Sequence, residues 1–186
     1  MIDTVRALLP HVGLEAADAS DQPTIRVPVE HLTEVTRTLR DRPELGFLLL
    51  ADVSAVDWWP REPRYEVVYH LASMTRRLRV KVSLAGDAAR LPTLQAVWPG
   101  ACWLEREVWD MFGIVFDNHG DLRRLLMPED WEGHPLRKDF PVQIRLKPRY
   151  AEALQVTEAE FRANVARDKA ARADAPGKIG PSEIGN

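Results

Sequence analysis

The sequence predicts an α+β fold in which helices pack on a mixed, largely antiparallel sheet, followed by an extended C-terminal tail. Two neighbouring stretches of alternating apolar residues indicate a β-hairpin, and apolar residues at helical spacing before Gly113 indicate a helix. Both patterns fade after Pro141. We therefore expect an α+β domain over residues 1–140 and a tail over residues 141–186 that is partly disordered when free.

The N-terminal part of the chain predicts a helix, a strand and a second helix. Residues 2–9 carry apolar side chains at helical spacing, and Pro10 favours an end soon afterwards. Residues 24–29 alternate between apolar and polar, which is typical of a strand. Residues 32–39 return to helical spacing, which continues up to Pro43.

The middle of the chain predicts most of the sheet. The apolar run 47–56, bounded by Gly46 and Asp57, predicts a strand that is buried on both faces and central in the sheet. Residues 65–71 and 78–84 alternate on either side of a polar turn. This pattern indicates the clearest hairpin of the chain.

Two more helices are predicted beyond the hairpin. A proline at the first helical turn and Gly100 at the end favour a helix over Pro92–Trp98. Cys102–Phe112 carries apolar residues at helical spacing, and Gly113 suits a left-handed C-terminal cap. In the tail, residues 157–173 have helical composition with a weak apolar stripe.

Composition excludes several classes of protein. The 186 residues are 45% hydrophobic and 28% charged, as in a globular domain that buries about 70% of its unfolded surface. The chain has a net charge of -3 and so lacks the excess of basic residues that is typical of a nucleic-acid-binding protein. The apolar runs are shorter than the roughly 20 residues of a membrane span. The start does not have the pattern of a signal peptide, so we expect a cytoplasmic chain.

Cysteine and glycine usage limits the chemistry. One cysteine, Cys102, cannot form an internal disulfide or supply the three or four ligands of an iron–sulfur cluster. The ten glycines do not fall in the spacing of a nucleotide-binding loop. We therefore expect no redox cofactor in this chain.

Residues 105–141, here called the signature segment, combine charges of both signs with large aromatic residues and read EREVWDMFGIVF, DNHGDLRRLL and MPEDWEGHPLRKDFP. On a helix, Arg106 lies four residues before Asp110, so the two can pair. The dipeptide His134-Pro135 disfavours helix, and Gly133 permits a turn. We therefore expect residues 131–141 to form an extended strap with free backbone groups.

The charges of the signature segment fit two interpretations. Arginine binds carboxylates in bidentate fashion, so Arg123, Arg124 and Arg137 suit ion pairs with a partner chain or with Glu105, Glu107 and Asp110. Alternatively, the charges form an intrachain network or meet solvent, where each pair contributes about 0–1 kcal/mol. Trp131 and Phe140 suit interface anchors or an ordinary core.

A catalytic or metal site is a further alternative. His119 and His134 with Asp121 and Asp139 could serve a stand-alone metal-dependent hydrolase, but their spacing matches no metal-ligand template. Paired-carboxylate catalysis is disfavoured because adjacent helical positions diverge. The residues alone thus indicate no catalytic, cofactor-binding or metal-binding group.

On these motifs the chain resembles the thirty-kilodalton subunit family of complex I, the proton-translocating NADH:quinone oxidoreductase. The resemblance rests on E-R-E, D, M-F-G, then H, D-L-R-R-L-L and finally W-x-G-H-P-L-R-K-D-F-P. It covers about a fifth of the chain. Gly120 departs from the pattern, since the family commonly has proline after the histidine.

The resemblance implies a non-catalytic peripheral-arm subunit on the cytoplasmic side of the cell membrane, touching the membrane only through the complex. It implies packing against the quinone-site subunit and neighbouring iron–sulfur subunits, in an assembly that uses NADH, FMN, iron–sulfur clusters and quinone. Related membrane-bound hydrogenases and ferredoxin-linked complexes have similar subunits and remain an alternative. The implied docking and bracing residues are Glu105, Arg106, Glu107, Asp110, Gly113, His119, Asp121, Arg123, Arg124, Trp131, Gly133, His134, Pro135, Leu136, Arg137, Lys138 and Asp139.

Overall fold

The structure is a computed structural model that describes residues 2–17, 22–86, 89–141 and 157–173. It divides into two units, residues 1–142 and 143–186, which are described separately. The first unit contains α1 (Ile2–Leu8), β1 (Glu15–Ala17), β2 (Thr24–Arg26), a 3-10 turn (Val29–His31), α2 (Leu32–Asp41), β3 (Leu49–Asp57), β4 (Tyr65–Ala72), β5 (Arg77–Leu84), β6 (Arg90–Pro92), α3 (Ala101–Phe112) and β7 (Val115–Asp117).

Five of the described strands form a mixed sheet in the order β1-β2-β5-β4-β3, with a parallel β2–β5 pair and three antiparallel pairs. The predicted hairpin is confirmed as β4–β5, with Tyr69 opposite Val80. These two buried side chains join the core, to which α2 contributes Val35 and Leu39. β6 and β7 form a separate parallel pair. The predicted α+β class, with helices on a largely antiparallel sheet, is therefore confirmed.

The predicted central position of the apolar run 47–56 is wrong. β3 lies at the edge of the sheet formed by the described strands, where it pairs with β4. Leu48 and Leu49 are 71% and 58% exposed, whereas Leu50 and Val53 point into the core. The run is continuous in sequence because leucine and alanine also occupy outward positions, and periodicity cannot distinguish that case from burial on both faces.

The predicted helix over Pro92–Trp98 is also wrong. β6 ends at Pro92, and a turn follows in which the N–H groups of Val97 and Trp98 both donate to the Leu94 carbonyl at 2.8 Å. The Leu94 N–H itself donates to the carboxylate of Glu105 at 2.7 Å. The end of the β6 strand and this tertiary hydrogen bond determine the backbone conformation after Pro92. Local helix propensity therefore does not determine it.

The second unit contains α4 (Glu158–Ala173), whose described side chains are exposed. This helix agrees with the helical composition of residues 157–173. The rest of the predicted tail, residues 142–156 and 174–186, lies outside the described residues. Among the helices that the structure describes, none has the length and apolar character needed to cross a membrane.

Candidate functional site

The predicted site residues gather around α3, which carries charged side chains on its buried side. Gly113 ends this helix with a φ of 77°, and its N–H donates to the Trp109 carbonyl at 2.8 Å. Glycine adopts this left-handed conformation without the strain that a Cβ brings. The chain then turns back through β7 and crosses α3 with the rest of the signature segment.

Glu105 is fully buried at the N-terminal half of α3. Its carboxylate accepts hydrogen bonds from the Thr93 hydroxyl at 2.5 Å and from the Leu94 N–H at 2.7 Å. Burial raises the pKa of Glu105 to about 7, and these two bonds offset the effect only in part. Glu105 therefore holds the turn after β6 against α3.

His119 is a loop residue with a buried side chain that uses both ring nitrogens. Its Nδ1 accepts the backbone N–H of Asp121 at 3.0 Å, so its Nε2 carries the proton and donates to the Cys102 carbonyl at 3.1 Å. Its Nε2 also lies 4.0 Å from the Glu105 carboxylate. The ring therefore ties the loop after β7 to the first turn of α3.

Arg106 does not pair with Asp110 as predicted. Its guanidinium donates to the carbonyls of Arg123 at 3.2 Å and Arg124 at 2.9 Å, and lies 3.6 Å from the Asp121 carboxylate. It also lies 5.0 Å from the centre of the Trp103 ring. The i, i+4 spacing allowed a pair, but backbone carbonyls of the crossing loop bind the buried guanidinium instead.

Asp110 organises the crossing loop from the C-terminal half of α3. One carboxylate oxygen accepts the consecutive backbone N–H groups of Leu125, Leu126 and Met127 at 2.8–3.0 Å, and the other accepts from Arg124 at 2.8 Å. Burial opposes the charged form, but these bonds outweigh it and hold the pKa of Asp110 below its usual range. A buried carboxylate with four donors acts here as a clamp.

The predicted extended strap over residues 131–141 is wrong, because this stretch forms turns against its own domain. His134 Nδ1 donates to the Asp110 carbonyl at 3.0 Å, and the Leu136 N–H donates to the Met111 carbonyl at 3.0 Å. A Cβ on Gly113 would lie 2.6 Å from the His134 ring. Since the C-terminal end of a helix offers carbonyls without an intrahelical partner, the stretch binds there.

A second ion cluster fixes the same stretch to the end of β3. Asp57 accepts two hydrogen bonds from Arg64, at 3.0 and 2.8 Å, and the N–H of Lys138 at 2.8 Å. Arg64 also lies 2.9 Å from Asp139. Burial opposes the charge, yet the hydrogen bonds from Arg64, Lys138 and Trp59 lower the pKa of Asp57 to about 2.

The sequence analysis missed Asp57 and Arg64 as parts of this site. In the sequence, Asp57 marks only the boundary of the apolar run, and 81 residues separate it from Lys138. The sequence offered one sign of this site, the carboxylate of Asp57 at the end of a predicted strand. That sign does not identify the residues with which Asp57 pairs.

Apart from the buried Glu105, Arg106 and Asp110, the predicted residues are exposed or partly buried as whole residues, although the side chain of His119 is itself buried. Arg123 is exposed and pairs with the exposed Asp121 at 2.9 Å. The exposed members of the predicted set are Glu107, Asp121, Arg123, Gly133, Leu136, Lys138 and Asp139, and the partly buried ones are Gly113, His119, Arg124, Trp131, His134, Pro135 and Arg137. Three large apolar side chains of this region, Trp103, Leu126 and Leu136, are 59%, 60% and 53% exposed.

The geometry does not assemble a hydrolase site from His119 and His134. Each of these histidines donates to a backbone carbonyl, and each is held by its own part of the loop. Glu105 and Asp110 are enclosed by hydrogen-bond donors of their own chain. The arrangement is that of a loop fastened to a helix, with apolar and charged side chains left on the outside.

Comparison with known proteins agrees with the motifs. A sequence profile of the family described as "Respiratory-chain NADH dehydrogenase, 30 Kd subunit" matches residues 25–145. The chain belongs to this family. The NADH-quinone oxidoreductase C subunit of Roseiflexus sp. (strain RS-1) is 48% identical over 144 residues, which are 76% of this chain and 83% of that protein. The C subunit of Rhizobium etli (strain CFN 42) is 46% identical over 131 residues, 70% of this chain and 66% of that protein.

Two solved structures support the family fold. A trypsin-resistant fragment of Nqo5, residues 1–134, has a TM-score of 0.53 and 32% sequence identity, and covers 65% of this chain and 96% of the fragment. A chain of the membrane-bound sulfane sulfur reductase, an archaeal respiratory membrane complex, has a TM-score of 0.65 and 27% identity, and covers 84% of this chain and 93% of its own length.

Proposed function

We propose that this chain is a non-catalytic peripheral-arm subunit of a proton-translocating NADH:quinone oxidoreductase. Family membership carries the proposal, since the curated relatives are named as subunits of an NADH-quinone oxidoreductase. The site supports a bracing role because its buried charges bind the chain's own backbone.

Bracing is the first part of the proposed role. The signature segment is mostly without helix or strand after β7, so its shape depends on side-chain clamps. Asp110 holds residues 125–127, Arg106 holds residues 123–124 and Asp57 holds Lys138. Buried charged hydrogen bonds of this kind fix one conformation, because any other arrangement leaves a charge unpaired. A loop held in one shape can present a reproducible surface to a partner.

Docking is the second part. Trp103, Leu126 and Leu136 expose apolar surface, and the signature segment also exposes the charges of Glu107 and Arg123. Apolar anchors with surrounding charges are typical of protein interfaces. The proposed partners are the quinone-site subunit and the neighbouring iron–sulfur subunits. The chain would then lie peripherally on the cytoplasmic side of the cell membrane and contact the membrane only through the complex.

The redox groups are proposed to belong to other subunits. NADH, FMN, iron–sulfur clusters and quinone would bind elsewhere in the assembly, because this chain has one cysteine and no glycine-rich phosphate loop. The chain would contribute to quinone reduction by holding its neighbours in place.

A related complex is the alternative. The likeness to a chain of the sulfane sulfur reductase shows that the fold also serves a different respiratory membrane complex. A subunit of a membrane-bound hydrogenase or ferredoxin-linked complex would use the same docking surface. The higher identity to NADH-quinone oxidoreductase subunits favours the first proposal.

Affinity purification from the source membranes tests the proposal. We expect the chain to bring the quinone-site subunit and iron–sulfur subunits with it, as identified by mass spectrometry. Deletion of its gene should abolish NADH:quinone activity. Co-purification with a hydrogenase large subunit instead would support the alternative. Recovery of the chain alone, together with normal activity after deletion, would exclude both.

A further inference from the structure

Three side chains that can bind a metal meet at a place that the proposed function does not use. His11 lies in the loop after α1, His31 ends the 3-10 turn, and Glu34 lies in the first turn of α2. One donor atom of each residue lies within 4.8 Å of the other two. Among the described residues, this is the group of histidine and acidic side chains whose donor atoms come close enough to share an ion.

The fold brings these side chains together in two ways. His31 and Glu34 are three residues apart at the start of α2, which places them on one face. His11 comes from 23 residues before Glu34, and the buried Leu9 and Val12 on either side of it fix the loop to the core. Core packing therefore fixes the backbone from which the His11 side chain reaches the other two.

The distances fit a small tetrahedral ion. His11 Nε2 lies 3.1 and 3.2 Å from the two Glu34 oxygens, and His31 Nδ1 lies 3.6 Å from the nearer one. Zinc bonds of about 2.0–2.1 Å at tetrahedral angles separate ligand atoms by roughly 3.3 Å. Two edges of the ligand triangle are already close to this length. The third, between the histidines, is at most 4.8 Å, so it has to shorten by up to about 1.5 Å for both rings to bind one tetrahedral ion.

We propose that His11 Nε2, His31 Nδ1 and the Glu34 carboxylate bind a divalent transition-metal ion, with Zn²⁺ as the expected occupant. Two imidazoles and one carboxylate suit zinc, whereas calcium and magnesium prefer ligand sets made of oxygen. The carboxylate also offsets part of the charge of the ion. Three protein ligands leave a fourth position for water or for a side chain of another molecule.

The ion would fasten the loop after α1 to the start of α2. In the metal-free chain, Glu34 accepts the His11 N–H. Metal binding needs the lone pair of His11 Nε2, so that proton moves to Nδ1 of the same ring or is released to solvent, and the ion then holds the same three groups together. Zinc has no redox chemistry, so the ion would not add an electron carrier to the chain, and its effect would be to hold these two segments together.

Zinc titration of the full-length chain, prepared without a polyhistidine tag and stripped of metal, tests the site. We expect one equivalent of Zn²⁺ by isothermal titration calorimetry, with a dissociation constant in the micromolar range. Bound Co²⁺ should give the visible absorption of a tetrahedral nitrogen and oxygen site. At a hundredfold excess over the dissociation constant, the melting temperature should rise by roughly 5 °C.

Matched variants identify the ligands. His31→Ala and Glu34→Gln should each weaken Zn²⁺ binding at least tenfold while leaving the circular dichroism spectrum unchanged. Glu30→Gln, which removes the carboxylate next to His31, and His70→Gln, which removes a histidine of β4, should bind as the natural chain does. The site is overturned if the natural chain binds no Zn²⁺ at submillimolar concentration. Equal affinity of the natural chain and both ligand variants would also overturn it.

Discussion

Each half of α3 carries a buried carboxyl group, and the pKa values of the two groups are shifted in opposite directions. Glu105 and Asp110 are both fully buried, but Glu105 has a pKa raised to about 7 and Asp110 has a pKa below its usual range. Glu105 accepts from two neutral donors. Asp110 accepts from three backbone N–H groups and from the Arg124 guanidinium. Burial alone therefore does not set the charge, since the number and charge of the donors decide it.

This difference separates two structural roles along one helix. Asp110 remains charged and gathers the N–H groups of an otherwise irregular loop. Glu105, whose pKa is about 7, is roughly half protonated near neutral pH and bonds to a single turn. The C-terminal half of α3 should therefore hold the loop at any physiological pH, whereas the N-terminal half should respond to pH.

Removing the Asp110 carboxylate should have the largest effect. Asp110→Ala leaves Arg124 without its counter-ion and three backbone N–H groups without their acceptor, and should lower the free energy of unfolding by about 3–5 kcal/mol. Urea denaturation of the full-length chain measures this. Glu107→Gln, at an exposed position of the same helix, serves as the control and should change stability by no more than about 0.5 kcal/mol. Equal losses in the two variants would contradict the clamp.

Glu105→Gln should stabilise the chain, and only at higher pH. Between pH 4.5 and about 7 the folded state keeps a proton that the unfolded state has lost, so the free energy of unfolding falls as pH rises through this window. Above pH 7 the natural chain carries the full penalty of about 3 kcal/mol. Glutamine has no proton to lose and removes the slope.

Denaturation midpoints of both chains at several pH values check this prediction. We expect near-equal stability close to pH 4.5 and a growing advantage of the variant up to about pH 8. If the natural chain instead becomes more stable as the pH rises from 4.5 to about 7, the pKa of Glu105 is not raised and the prediction is wrong. The opposite sign at Asp110 follows from its lowered pKa, since its contribution is lost as pH falls below the usual range of an aspartate.

Gly113→Ala tests the close packing at the C-terminal end of α3. The added Cβ would meet the His134 ring at 2.6 Å and would occupy a backbone with a φ of 77°. We expect a loss of about 2 kcal/mol. Gly100→Ala is the matched control at the other end of the helix, where φ is -63° and a Cβ would meet nothing within 4 Å. It should be neutral or slightly stabilising.

The elements that could be predicted from sequence are those whose apolar period matches their burial. The hairpin, α2 and α3 with its Gly113 cap follow from local patterns that the core preserves. The prediction for β3 was wrong because an edge strand with exposed leucines has the same continuous apolar sequence pattern as a central strand. The predictions for residues 92–98 and 131–141 were wrong because their backbone N–H groups bond to Glu105, Asp57 and α3, contacts that local pattern does not contain.

The residues of the candidate site could be predicted from the sequence. Which of them face the core and which face solvent could not. Motifs identified the signature segment, yet only the fold shows that Arg106 and Asp110 face inward while Glu107 and Arg123 face outward. The group of His11, His31 and Glu34 was missed for the same reason. His31 and Glu34 have helical spacing, but the position of His11 depends on packing of the loop after α1.

Arg123→Glu should have the smallest effect on stability and a specific effect on assembly. Arg123 is 66% exposed and pairs with Asp121 in the presence of solvent, which weakens the interaction, so the urea midpoint should not change. If its side chain contacts a partner, reversal of its charge should lower the amount of assembled complex several-fold, because like charges at an interface repel. Blue native electrophoresis of membranes from complemented deletion cells measures this.

Arg90→Glu is the matched control for that comparison. Arg90 is 59% exposed and pairs with the partly exposed Asp117, and it lies outside the signature segment. We expect normal assembly from Arg90→Glu and reduced assembly from Arg123→Glu, with the same urea midpoint for both. If Arg123→Glu assembles normally, the outward charges of the signature segment are solvated and docking depends on another surface. If both variants assemble poorly, the change in net charge accounts for the effect. The proposal that the outward charges of the signature segment bind a partner then gains no support.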